Sequence, residues 1–459
     1  MRGARRVVLV AASMLAMAAL PAQAAAVTLA VSVQLAPGVT RACAGAARPC
    51  TVEALPGVAF ELRAAPAADG AGRVVDVELL HRVPGSRVFT ATGRRVALAD
   101  AVVGRRFLLA QVDRRPGVTC LRATLHAPAS PDGSAPPVEA ASGFACTRFR
   151  PPIEIGWAGD TVVGSEYGLP PDGGRSLFDA VRSLLRAPDL MIGNYEGTFG
   201  SGGSRRCSGG ALCYIFRSPV SRARTLPAAG FDVMNVANNH SLDYGSSGFA
   251  QTRSALSGVH LGVAGVPGQV LVEQVEDTRV AIVGVSPYPG MLSMRDLPAL
   301  RSIVHAADRA GDVVVVTFHA GLEGAAGAHV PHGADYGTNL RAAVHAAVEA
   351  GADVVVGSGP HVVRGIERYR GTYIVYSSGN FAGWHTFSLG GLSSQSGVVR
   401  FTFDHTGRAD GGTWDAVTIG APGIPRPDRS GRITRRVAEL SRADFGSAGV
   451  RFGRGGRFR

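Results

Sequence analysis

Between residues 152 and 403, short aliphatic runs recur with room for about one helix between successive runs, and this rhythm restricts the segment to an α/β architecture. Strands are expected at 153–158, 190–193, 233–237, 280–285, 313–318, 354–356, 373–376 and 398–403. Helix patterns fall at 177–186, 248–257 and 339–350. The flanks read differently. Residues 27–150 carry short β-like runs separated by Gly, Pro and Asp clusters, as a small disulfide-containing β domain would, either an Ig-like sandwich or a barrel. Arg150-Pro151-Pro152 makes a stiff junction. Residues 404–459 are rich in Gly, Pro and Arg and read as a C-terminal extension with one helix near 434–442 and a mobile tail over 453–459.

With 459 residues, the chain is long enough for two domains. Residues 1–24 have the pattern of a secretory signal peptide. Arg2, Arg5 and Arg6 precede an apolar run at 7–20, and Ala22-Gln23-Ala24 offers a small-x-small cleavage site. That run is short for a membrane span, and no second long apolar run follows. A periplasmic or secreted protein without a transmembrane span in its mature form is expected. Such a compartment favours disulfides for Cys43, Cys50, Cys120, Cys146, Cys207 and Cys213. Proximity in sequence pairs Cys43 with Cys50, Cys120 with Cys146 and Cys207 with Cys213; no C-x-x-C spacing supports zinc. The formal charge of +12 comes with no lysine, a composition that GC-rich codon usage accounts for, and it suits an anionic partner. The arginines are scattered rather than interleaved with aromatics, so no nucleic acid is expected.

Function in open α/β sheets gathers beyond the carboxyl ends of the strands. Here these ends carry Gly159-Asp160, Asn194-Tyr195-Glu196, Asn238-Asn239-His240, His319, Gly357-Ser358-Gly359-Pro360-His361 and Ser377-Ser378-Gly379-Asn380. One such residue would be a helix cap or turn former. Several strand ends that together supply oxygen and imidazole donors suit a Mn, Zn, Fe or Mg centre better than a thiolate site.

These stretches resemble the CapA family, the poly-γ-glutamate capsule synthesis proteins of the metallophosphatase superfamily. The resemblance runs from 153 to 403. Its most specific blocks are Asn238-Asn239-His240 with Asp243-Tyr244-Gly245, and Pro360-His361-Val362 with Ser378-Gly379-Asn380-Phe381. Also matching are Asp189 to Gly197, His319-Ala320-Gly321-Leu322-Glu323 and Gly365-Ile366-Glu367. The resemblance implies a layered α/β sandwich of the metallophosphoesterase type. It also implies that Asp160, Glu196, Asn239, His319 and His361 face one or two divalent ions that acidify a water molecule. Asn239 and His240 are the implied catalytic pair, with His240 the general acid. Arg364 would hold an anionic substrate group, Glu323 would orient His319, and Asn380 would lock a loop beside the substrate. Two departures stand out. Many relatives have His where this chain has Ser358 and Leu where it has Ser378. The superfamily's Asp-x-His opening is also absent, since Thr161-Val162 follow Asp160.

An exported hydrolase of an anionic polymer or phosphoester is the first expectation. The alternative is a non-catalytic partner of capsule or envelope assembly proteins that binds polymer through a weakened site. A third reading makes the N-terminal β domain an adhesive module.

Overall fold

The computed structural model describes residues 152–459 except 209–212 and 405–406, together with residue 135 and ten strands between 29 and 149. The chain divides into two compact units, Met1–Arg148 and Phe149–Arg459. The described backbone of the first unit forms a four-stranded and a six-stranded sheet. The signal segment and the side chains of Cys43, Cys50, Cys120 and Cys146 lie outside the described residues.

The second unit is built on two mixed sheets. In the first, strands Gly262–Ala264, Val233–Asn235, Leu190–Tyr195 and Ile153–Val162 run parallel. Strands Gln395–Phe403, Ala409–Gly420 and Ile424–Pro427 continue that sheet antiparallel. In the second, Thr278–Val285, Val313–His319, Val354–Ser358 and Thr372–Val375 run parallel, edged by the antiparallel strands Leu271–Val275 and Ile366–Tyr369.

The alternation of side chains along a strand explains the layering. Ile155, Trp157 and Ile192 of the first sheet share one core with Val280, Ile282, Val313 and Val315 of the second. The intervening Ala281, Val283, Val314 and Val316 face outward instead, against Leu300, Val304, Ala343 and Val344 of helices Leu297–Ala310 and Leu340–Glu349. The outer face of the first sheet packs on Phe178, Leu185, Leu226 and Leu256. The result is the expected layered α/β sandwich, with helices outside two facing sheets.

The structure corrects the sequence reading in four places. Leu297–Ala310 is a helix that the pattern analysis missed, although Asp296 caps it by accepting from Ala299 N at 3.0 Å. The expected helix over 177–186 is instead a 3-10 segment, Pro171–Phe178, and a single α turn, Arg182–Leu185. The apolar period was genuine, because Leu177, Phe178, Val181 and Leu185 all face the core. Val181, at φ −119° and ψ 2°, breaks the helix between them. Residues 404–459 are no appendage, since they complete the first sheet. Within them the expected C-terminal helix is present as Arg432–Phe445.

The segment expected to be mobile, 453–459, is pinned. Arg457 and Phe458 pair with Thr413 and Gly412, and Phe458 is buried against Tyr373 and Phe401. Phe458→Ala is therefore expected to cost about 3–5 kcal/mol. Urea unfolding followed by tryptophan fluorescence measures this, and a solvated tail would show no change.

Candidate metal centre

The carboxyl ends of the parallel strands in both sheets meet at one place. Strand Ile153–Val162 carries Asp160, which is fully buried. Gly159 precedes it because the 377–380 loop lies directly over the backbone there. A Cβ at Gly159 would stand 1.9 Å from Gly379 O. Strand Leu190–Tyr195 presents Asn194 and then Glu196, both fully buried. His319 ends strand Val313–His319, and His361 follows strand Val354–Ser358.

Three imidazoles converge on one carboxylate oxygen. Glu196 Oε1 lies 3.6 Å from His319 Nε2, 3.7 Å from His361 Nε2 and 3.9 Å from His240 Nε2. These separations are too long for hydrogen bonds. They are close to the roughly 3.3–3.6 Å between donors that share an ion at 2.0–2.2 Å. Donor atoms of Asp160, Glu196 and His361 all lie within 4.8 Å of one another. Both oxygens of Glu196, Asp160 Oδ2, His319 Nε2 and Asn239 Oδ1 are buried with no hydrogen-bond partner among the described residues. Burying so many unpaired polar atoms costs a few kcal/mol each unless a cation draws them together. The donor set of oxygen and imidazole therefore fits a divalent ion such as Mn, Zn, Fe or Mg.

The far sides of the imidazoles fix which nitrogen faces inward. His361 Nδ1 lies 2.8 Å from Asn380 Oδ1, an acceptor only, so Nδ1 carries a proton and Nε2 is the nitrogen whose lone pair an ion would take once the ring is neutral. His361 Nδ1 is also 3.2 Å from Asp160 Oδ2, and His319 Nδ1 is 3.2 Å from Asp160 Oδ1. His361 holds φ +58°, a left-handed backbone that costs on the order of 1–3 kcal/mol for a non-glycine residue and tends to persist at functional sites.

The same contacts set the charges. Burial opposes ionisation of Asp160, yet His319 and His361 beside it hold its carboxyl far below the usual carboxylate range. Glu196 is pushed up, first by burial and then by the Asp160 charge. Burial disfavours a charged His361, but Glu196 and Asp160 outweigh it and raise that imidazole to about 10. Ion-free His361 therefore carries a proton at neutral pH that a metal ion must displace. Affinity for Mn or Zn is expected to rise steadily from pH 6 towards 9, with about one proton released per ion. Calorimetry in two buffers of different ionisation enthalpy checks this, and a pH-independent affinity would contradict it. For folding of the ion-free protein the shift acts in the other direction. The folded value of His361 lies above the ordinary 6.5, so its stabilising contribution is complete below pH 6.5 and is lost as pH rises through about 10.

His240 sits on the turn after strand Val233–Asn235, where Asn238 Oδ1 accepts from His240 N at 3.0 Å. Its Nδ1 lies 2.8 Å from Asp243 Oδ2, and its ring packs on Phe216 at 4.3 Å. Asp243 also accepts from Phe216 N at 2.7 Å and pairs with Arg206 at 3.0 Å. Arg206 is held beside the Cys207–Cys213 disulfide, the one expected pairing that falls among described side chains.

Two expected roles do not hold. Arg364 is fully buried, with its guanidinium on Asp335 at 2.6 Å and on Gly327 O at 2.6 Å, so it anchors the 321–335 loop and has no surface for a substrate. Glu323 is exposed and does not orient His319. That position is taken by Asp160, by Asn194 at 3.1 Å and by Ser358 Oγ at 3.2 Å. Asn380 also does more than lock a loop, because it orients His361 and donates from Nδ2 to Ser393 O at 3.2 Å.

Sequence reasoning placed Asn194 and Asn238 at strand ends but gave no role to the amides behind the site, and it did not single out Asn235. Asn194 donates to Asp160 Oδ1 at 2.8 Å and accepts from Asn235 at 2.9 Å and Asn238 at 3.2 Å. The signal was the repetition of Asn at two neighbouring strand ends, Leu190–Tyr195 and Val233–Asn235. Tyr288 was missed as well. Its ring lies 6.0 Å from that of His319, and burial, then Glu323 and Glu196, raise its phenol, so it stays a neutral donor.

Residues 154–383, half of the chain, match the family model described as bacterial capsule synthesis protein PGA_cap. The chain belongs to that family. Among its capsule-synthesis relatives, the PGA biosynthesis protein CapA of Bacillus subtilis is 26% identical over 254 residues, covering 50% of this chain and 64% of the relative. The capsule biosynthesis protein CapA of Bacillus anthracis is 27% identical over 285 residues, covering 57% and 65%. The chain thus spans slightly less than two thirds of the length of these two relatives. A purple acid phosphatase from yellow lupin seeds is a distant structural likeness, with a TM-score of 0.34 at 11% identity over 81% of this chain and 72% of that one. No helix among the described residues is long and apolar enough to cross a membrane.

Proposed function

We propose that this capsule-family chain is an exported metal-dependent hydrolase acting on an anionic polymer or phosphoester of the cell envelope, polyglutamate foremost. The observation that supports it is the set of buried, unpartnered donor atoms on Asp160, Glu196, Asn239 and His319, with His361 Nε2 facing the same carboxylate. Asp160, Glu196, Asn239, His319 and His361 are the ligands in this reading. A divalent ion held there supplies a Lewis acid for a carbonyl or phosphoryl oxygen and acidifies water near neutral pH.

The chain's own residues do the rest. Asp160 lies 3.2 Å from Nδ1 of both His319 and His361 and attracts those ring edges, while both Nε2 atoms face Glu196. Asn380 holds the proton on His361 Nδ1. Asp243 does the same for His240, so that protonated His240 Nε2 delivers its proton to the leaving oxygen or nitrogen as the scissile bond breaks. Phe216 covers the other face of that ring and excludes water from it.

A specific observation keeps the assembly reading in view. Ser358 stands where the family resemblance expects His, and its hydroxyl bonds to His319 Nδ1 without adding an imidazole. One experiment decides between the readings. Metal content is measured by elemental analysis, and turnover of a phosphodiester and of poly-γ-glutamate is assayed with and without Mn. Bound metal with turnover supports the hydrolase. Folded protein with neither supports the assembly role.

A further inference from the structure

The arginine-rich C-terminal segment, expected from sequence to be a solvated tail, is folded into a hairpin. Arg451 and Arg459 exchange backbone hydrogen bonds, Arg451 N to Arg459 O at 2.9 Å and Arg459 N to Arg451 O at 3.1 Å. Gly453 N donates to Arg457 O at 2.7 Å. The turn lies tight on the neighbouring strand, and a Cβ at Gly456 would meet Trp414 O at 2.2 Å. Period-2 alternation then sorts the side chains. Phe458 points inward and is buried, while Arg457 and Arg459 on either side are exposed.

With Arg408, Arg451 and Arg454, these arginines line an open cleft of about 1210 Å³, and all five are exposed. No carboxylate pairs with any of the five side chains among the described residues. On the floor Arg400 is already engaged, pairing with Glu154 at 2.9 Å and with Asp415 at 2.7 Å. Six arginines face four carboxylates around the cleft, leaving a net positive wall. Backbone pairing holds the chain positions of Arg451, Arg457 and Arg459, so a ligand meets arginines on an ordered hairpin rather than on a mobile tail. Guanidinium forks match carboxylates in bidentate geometry. The aromatics here, Phe452 and Phe458, are turned into the core and offer no face for base stacking, which disfavours single-stranded nucleic acid.

We propose that this cleft docks a linear polycarboxylate chain at a place separate from the metal centre. Glu154 on its floor precedes Asp160 by six residues on one strand, which separates the two places by roughly 20 Å. The choice of a carboxylate polymer rests on the capsule reading above; the cleft and its charge do not. The test uses the full chain and fluorescein-labelled poly-γ-glutamate of about twenty residues, with binding read by anisotropy at two salt concentrations. The wild type is expected to bind, with affinity falling as salt rises. The triple variant Arg454→Glu, Arg457→Glu, Arg459→Glu is expected to bind at least tenfold more weakly, with circular dichroism confirming its fold. Glu196→Gln, at the metal centre, is expected to bind as the wild type does, whether or not the protein hydrolyses anything. Unchanged binding in the triple variant overturns the proposal. Polyphosphate or single-stranded DNA binding as tightly as poly-γ-glutamate overturns the assignment to carboxylates.

Discussion

Glu196→Gln is expected to raise the melting temperature of the ion-free protein and, in the same protein, to abolish the stabilisation that Mn or Zn gives the wild type. Glu196 is fully buried, and neither carboxylate oxygen has a hydrogen-bond partner among the described residues. Its pKa is pushed up by burial and by Asp160, so its charge works against the ion-free fold. A neutral amide of the same shape removes that charge and its burial penalty. Ligand binding at a hundred times Kd stabilises a fold by about 2.7 kcal/mol, and that increment disappears when the central ligand is lost. Thermal melts of both proteins, with chelator and with excess metal, give the four numbers needed. An ion-free variant that melts below the wild type would show that Glu196 is a structural hydrogen-bonding residue and would remove the main support for a metal centre.

The second large effect concerns His240. His240→Asn is expected to lower kcat on a phosphodiester with a poor leaving group by 10²–10⁴-fold, the usual range for loss of a general acid. Bound metal is expected to stay at the wild-type level. Its Nδ1 is engaged with Asp243, and its Nε2 is the most distant of the three imidazole nitrogens from Glu196 Oε1. A p-nitrophenolate leaving group needs little protonation, so with that substrate the loss is expected to shrink towards tenfold. Asp243→Asn is expected to follow the same pattern, because an amide no longer requires a proton on Nδ1. If metal content falls together with kcat, His240 is a ligand and the acid must be sought elsewhere. Elemental analysis and initial rates on the two substrates separate these outcomes.

The sequence by itself determined the α/β character of the second unit and the list of strand ends with polar donors. Both are local properties. A run such as Val313-Val314-Val315-Val316 is a strand wherever it packs, and the residue that follows it must emerge at the strand's carboxyl end. Asp160, Glu196, His319 and His361 were legible for that reason. The disulfide of Cys207 and Cys213 was legible because only a few residues separate them.

Tertiary structure decided what depends on through-space partners. Arg364 follows His361 by three residues and looked available to a substrate, but Asp335 from a distant loop binds it in the interior. Asn194 became the hub behind Asp160 and His319 because strands from two sheets bring their ends together, an arrangement that no local pattern encodes. The C-terminal segment read as mobile because its Gly and Arg content has no periodicity of its own. Its order comes from an exposed sheet edge at Gly412 and Thr413 and an apolar site for Phe458, both supplied by residues elsewhere in the chain. Local propensity fixes where strands and turns form, whereas pairing and burial settle which polar groups remain free, and the proposed chemistry depends on those free groups.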